Sequence, residues 1–282
     1  MYKMQTVNVM MKQASLTRFE AAEPKRPRPE QKPIGTAKKP SGTAKRRRRN
    51  TLVLGFSYES FFGNVASVKR FLNNSTTDVN QVDETGQTPL YVACWKGHVD
   101  VVRLLLARKE IQINQASKKG MTPLYITCQE GHVDVVRLLL ARKEIQINQA
   151  EENGFTPLYV TCYEGHVDVV RLLLARKEIQ INQAMEGGVT PLSITCQEGH
   201  VDVVRLLLAR KDILINQADL IDGQTPLYVT CDNGHVDVVR LLLARKEIDI
   251  NKEADGGWTP LQIAQARKHT KIVTLLQHHK KQ

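Results

Sequence analysis

The chain has 282 residues, 41% of them hydrophobic but only 5% aromatic, so it can bury a large core and must build it mainly from aliphatic side chains. Its formal charge of +11 suggests a nucleic-acid binder until the charge is located: residues 1–50 hold fourteen of the forty Lys and Arg and three of the twenty-nine acids, and residues 51–282 balance at 26 against 26. No run of 18 apolar residues occurs, so the composition excludes an ordinary membrane-spanning helix.

The opening "MYKMQTVNVMMKQASLTRFE" lacks the unbroken apolar stretch of a secretory signal; its few acids and its Ser and Thr leave organelle targeting open beside a plain disordered end. From Glu20 to Asn50, Pro, Gly, Lys and Arg dominate, and so few apolar groups cannot offset the entropy of ordering. Residues 1–50 are therefore expected to be a disordered basic tail. Within it the run Lys45, Arg46, Arg47, Arg48, Arg49 has the composition of a nuclear-import signal, of a contact to nucleic acid or anionic membrane, or of a solvated charge run, and these readings stay open. Arg48-Arg49-Asn50-Thr51 also fits a basic-directed kinase site.

Beyond the tail a fixed period takes over. Thr-Pro-Leu begins at Thr88, Thr122, Thr156, Thr190, Thr225 and Thr259, and "GHVDVVRLLLARKEIQINQA" stands unchanged at Gly97, Gly131 and Gly165 and nearly so at Gly199 and Gly234. A period of 34–35 residues marks a solenoid, whose units bury their faces against one another. In each unit Thr suits a helix N-cap and Pro the first helical position, and the Gly after the short helix suits a left-handed end. The second helix, "HVDVVRLLLARK", holds too many apolar residues for one stripe and must be covered on two sides. "EIQIN" alternates like a short extended segment, and Gly86, Gly120, Gly154, Gly188, Gly223 and Gly257 supply a turn before each Thr-Pro-Leu.

"TPLYVACWKGHVDVVRLLL" resembles the ankyrin repeat, whose pattern runs Thr-Pro-Leu-His-x-Ala, Gly-His and a Val/Leu-rich second helix. The resemblance covers residues from about 52 to 282 and implies an all-α solenoid of helix-turn-helix units joined by short hairpins. The expected array has a degenerate cap at 51–82, repeats at about 83–116, 117–150, 151–184, 185–219 and 220–253, and a C-terminal cap at 254–282. Two departures stand out. The family's His after Leu is Tyr91, Tyr125, Tyr159 and Tyr228 here, then Ser193 and Gln262, so that imidazole's hydrogen bond must be replaced or lost. "ARKEIQIN" also carries one residue more than the usual turn, an insertion expected on the outer, convex-side loop without harm to stacking.

The copies differ in two windows. One is the end of the first helix: Trp95-Lys96, Gln129-Glu130, Tyr163-Glu164, Gln197-Glu198 and Asp232-Asn233. The other is the turn before Thr-Pro-Leu, which includes Lys118-Lys119, Glu151-Glu152, Met185, and Leu220-Ile221 in the one longer tip. In ankyrin proteins first helices and hairpin tips line a concave groove for partner proteins, so the resemblance makes these residues the partner contacts. Trp95 and Tyr163, costly to expose without purpose, are the expected anchors, and Leu220 with Ile221 a second apolar contact. Drift at cheap, exposed positions would give the same variation.

Catalytic chemistry is not expected. The six repeat histidines, His98, His132, His166, His200, His235 and His269, stand in a ladder about 10 Å apart, too far to share a metal, and the five cysteines recur in the same way. A disulfide needs Cα atoms within about 7 Å, so the thiols read as buried core groups of a reducing, intracellular compartment, cytoplasmic or nuclear. No phosphate-binding glycine loop is present. The expectation is a monomeric, cofactor-free, non-enzymatic module that binds another protein, with an import receptor or nucleic acid as a further partner of the tail. The alternative is a tail-driven binder of nucleic acid or anionic membrane, with the repeats as an accessory body.

Overall fold

A computed structural model describes residues 55–280; the expectations for the tail, its basic run and Thr51 lie outside these. The described residues form two compact units, 55–146 and 147–280, and every regular element among them is a helix. The first unit contains residues 55–61, Val65–Asn73, Pro89–Trp95, Val99–Leu106, Pro123–Glu130 and Val133–Leu140. The second contains Pro157–Glu164, Val167–Leu174, Pro191–Glu198, Val201–Leu208, Pro226–Asn233, Val236–Leu243, Pro260–Ala266 and Thr270–His279.

The local signals act as their chemistry requires. Thr88 Oγ accepts the Tyr91 N–H at 3.0 Å, the equivalent threonines do the same, and Pro opens each of these helices. Within each unit the first helices pack in one row and the second helices in another. Leu105 and Leu139 in the first unit, and Leu173, Leu207 and Leu242 in the second, are fully buried, so the second helix is covered as its composition demands.

Gly-His recurs for a reason that spans two repeats. The His200 ring bonds the Tyr163 carbonyl of the preceding repeat at 2.9 Å, and His98, His132, His235 and His269 bond Phe61, Trp95, Gln197 and Asp232 carbonyls in the same way. A Cβ on Gly165 would lie 2.7 Å from that His200 ring, and Gly165 also has φ of +77°. Gly therefore serves both the left-handed turn and the next repeat's imidazole. Gly63 meets His98 identically, so the degenerate first unit is in register although its Thr-Pro-Leu is lost.

"EIQIN" forms turns rather than a strand, and the loop that carries it links neighbouring repeats. Asn182 Nδ2 donates to the Asp212 carbonyl at 2.6 Å and its Oδ1 accepts the Leu214 N–H at 3.0 Å, thirty residues on. Asn80, Asn114, Asn148 and Asn216 repeat this two-way link. Arg210 adds a bond to the Leu174 carbonyl at 2.9 Å while pairing with Asp212. The loop is thus a pin between neighbours. Asn182→Ala removes both bonds at a half-exposed site and is expected to lower stability by about 1–2 kcal/mol in urea unfolding; an unchanged midpoint would show the pin to be idle.

Candidate protein-binding surface

The two variable windows converge at the tyrosine that replaces the family's His. Tyr228 has Asp222 from its own turn, Asp232 from its own helix end and Arg267 from the next repeat as electrostatic neighbours; burial first, then Asp232, raises its phenol. Tyr91 in the first unit lies among Glu130 and Asp83, a helix end and a turn, and burial again leads the rise of its phenol. Tyr163 has Glu198 and Glu164 beside it. Successive turns are tied to each other as well: Glu186 N–H donates to the Asn153 carbonyl, Leu220 N–H to Gly187 and Asp255 N–H to Asp222 at 2.8–3.2 Å. Helix ends and turns therefore share one face within each unit.

Only part of the expected contact set lies open on it. Lys96, Asn233, Lys118, Lys119, Glu152 and Leu220 are exposed, and Glu130, Tyr163, Glu164, Glu198, Asp232, Glu151 and Ile221 are partly so. Leu220 is 81% exposed, whereas Ile221 folds its Cδ1 over Gly187. Asp232 is already paired with Arg267, Nε to Oδ1 at 2.6 Å.

Trp95, Gln129, Gln197 and Met185 correct the expectation of exposure. Trp95 is 8% exposed because its ring meets Phe61 of the degenerate unit edge-on, with centroids 5.5 Å apart. Lys96 Nζ closes this pair from outside, 4.4 Å from the Trp95 ring and 4.6 Å from Phe61. Gln129 and Gln197 are buried in the first-helix row, and the Met185 thioether turns in to accept the Gly187 N–H. Trp95→Ala is accordingly expected to lower stability by about 3 kcal/mol, whereas Tyr163→Ala leaves it nearly unchanged; parallel thermal melts separate the two.

Two exposed aromatics were not singled out from sequence. Phe62 is 50% exposed and edges onto Phe61, and Trp258 is 45% exposed just before the last Thr-Pro-Leu. The residue before Thr also varies between copies, a usable signal, but Phe155 and Val189 at that place are buried, so variation alone does not mark exposure.

The glutamine, tyrosine and serine that replace the family's His have different outcomes. Gln262 restores a bond, accepting the Thr259 N–H at 2.8 Å in a capping box. The hydroxyls of Tyr159 and Ser193 are buried without a hydrogen-bond partner. None of the described residues form a His, Cys, Asp or Glu group suited to a metal, and no described helix is long and apolar enough to cross a membrane.

A family model for ankyrin repeats matches residues 56–151, 143–219 and 211–282, nearly all of the described chain. The chain belongs to the ankyrin repeat family. Among solved structures it is similar to the human ASB11 ankyrin repeat domain, with a TM-score of 0.67 at 23% identity over 79% of this chain and 96% of that one, a likeness of fold. No curated protein matched the chain. Ankyrin repeats are generally non-catalytic modules for protein–protein interaction. In this ankyrin array the Gly-His pair and the Thr-Pro cap are scaffold, and the tyrosine position is where scaffold and variable surface meet.

Proposed function

We propose that this ankyrin repeat protein is a non-catalytic binding module that grips a partner protein with its first-helix ends and repeat turns. One observation carries the reading. Phe61, Trp95, Tyr163, Gln197 and Asp232 at the helix ends give their backbone carbonyls to the next repeat's histidine, so the backbone there is held, and at Tyr163 the edited side chain also stays partly open. A stack that fixes a backbone in identical steps while editing its side chains presents a rigid, sequence-specific row, which lowers the ordering cost of binding.

The test is partner capture by the full chain at physiological salt, followed by affinity measurement with variants. Tyr163→Ala is expected to weaken binding at least tenfold, as an aromatic contact at an interface centre does, while Asp168→Ala on a second helix leaves it unchanged. Equal affinity for both variants would refute the assignment of this face.

A further inference from the structure

Three of the repeat turns open on an acid that accepts the amides of its own turn. Asp83 Oδ1 accepts the Thr85 and Gln87 N–H groups at 2.8 and 2.9 Å, and Glu151 Oε1 those of Asn153 and Phe155 at 2.8 and 3.2 Å. Asp219 Oδ1 does the same for Ile221 and Asp222, at 2.9 and 2.8 Å. In the first two turns the residue before the turn glycine adds a side-chain donor: Thr85 Oγ1 donates to Asp83 at 2.6 Å, and Asn153 Nδ2 to Glu151 Oε2 at 3.1 Å. In the third, the longer one, that place is held by Asp222, a second acid. Asp219 is only 4% exposed, and its Oδ2 and that of Asp222 are both buried without a hydrogen-bond partner. Two ionised carboxylates so placed leave two acceptors and no donor, whereas a single proton turns one acid into the donor for the other.

The charged groups around the pair do not relieve it. Asp222 is the charge that acts on Asp219, and the Tyr228 phenol borders Asp222 in turn. Glu186 stands in the preceding turn and Asp255 in the following one, and both are acids. The bases of the next repeat are committed elsewhere, Lys252 to the Asn216 carbonyl and Arg267 to Asp232. Burial, partly offset by the amide bonds and reinforced by Asp222, raises the Asp219 carboxyl above its ordinary value.

We propose that Asp219 and Asp222 hold one proton in common, so that the longer turn is a catch that tightens on mild acidification and loosens when the pair gives the proton up. The folded pair binds that proton more tightly than the unfolded chain does. The stability it brings is therefore complete below the ordinary carboxylate range and is lost as the pH rises through the pair's higher folded value. The catch reaches the turns on either side, because Leu220 N–H donates to the Gly187 carbonyl at 2.9 Å and Asp255 N–H to the Asp222 carbonyl at 2.8 Å. It also carries Leu220, 81% exposed, so the presentation of that side chain follows the proton. None of this depends on which molecule, if any, the face holds.

Asp222→Asn in the full chain tests it, because it installs permanently the amide donor that Asn153 gives its own turn. In urea unfolding at pH 8 the variant's unfolding constant is expected to be about fivefold or more below that of the unchanged chain, the effect of satisfying a buried acceptor. That advantage should shrink steadily as the pH is lowered to 5, where the unchanged pair takes up its proton. Asp83→Asn is the control: Asp83 already has its side-chain donor, so no pH-dependent gain is expected there. Carboxyl-carbon NMR reads the pair directly. Asp219 should titrate above the usual carboxylate range in the unchanged chain and move down in Asp222→Asn, where a neutral donor replaces the shared proton. An Asp222→Asn chain less stable than the unchanged one at pH 8, a gain that does not vary with pH, the same pH-dependent gain in Asp83→Asn, or an Asp219 titration that Asp222→Asn leaves in place would each overturn the proposal.

Discussion

Raising the pH from 8 to 10 is expected to lower the unfolding free energy by several kcal/mol, and removing the cysteines should abolish most of that dependence. Cys94, Cys162, Cys196 and Cys231 are buried thiols whose pKa is pushed up to about 12, chiefly by burial; for the first three a threonine hydroxyl of the next repeat pulls weakly the other way. In the unfolded chain the same groups ionise near their ordinary value of about 8.5–9. Because the folded pKa lies above the unfolded one, the stability linked to each thiol is complete below about pH 8.5 and is lost as the pH climbs toward 12. One pH unit inside that window corresponds to about 1.4 kcal/mol per thiol, so four thiols amount to roughly 5–8 kcal/mol by pH 10. The buried phenols of Tyr91 and Tyr159, also raised mainly by burial, add a loss of the same sign at still higher pH.

Urea unfolding at pH 8, 9 and 10 measures the slope, and a chain with all five cysteines changed to alanine gives the reference. The alanine chain will be less stable overall, since each change leaves a small cavity, but only its slope matters. A slope that survives the replacement would place the titrating groups elsewhere. The same burial makes all five thiols inert to thiol reagents in the native state and reactive on unfolding.

Gly199→Ala is expected to destabilise the protein by about 2–4 kcal/mol, a large effect for one methyl group. Gly199 has φ of +77°, and a Cβ there would sit 2.6 Å from the His235 ring. The left-handed conformation alone costs a non-glycine residue about 1–2 kcal/mol, and displacing the imidazole loses its 2.8 Å bond to the Gln197 carbonyl, worth about 1 kcal/mol. The two parts can be separated. In a His235→Ala background the collision disappears, so the added alanine should cost only the backbone part, about 1–2 kcal/mol. Strict additivity of the two changes in urea unfolding would disprove the steric coupling between glycine and histidine.

Much of the fold was legible because every copy meets its neighbour with the same parts. Thr caps, Pro starts, glycine turns and the doubly apolar second helix are local or strictly periodic signals, and Leu105 with its counterparts is buried as they require. The links between repeats were less legible. Asn182 and Arg210 sit in a stretch that reads as a tolerated insertion, and only their partners thirty to thirty-six residues away reveal a pin.

The candidate surface divides in the same way. Trp95 and Tyr163 occupy one register position and look equivalent in sequence, yet the first is 8% exposed and the second stands partly open. Trp95 is covered because the degenerate unit offers it Phe61, and no local signal near Trp95 announces that contact. The sequence by itself determined the period, the helices and their caps, and the two windows in which copies differ, because those follow from backbone sterics and apolar spacing. The tertiary structure alone decided which edited side chains meet solvent and how the inserted loop is used, because burial at a helix end depends on the size and shape of what the adjacent unit presents.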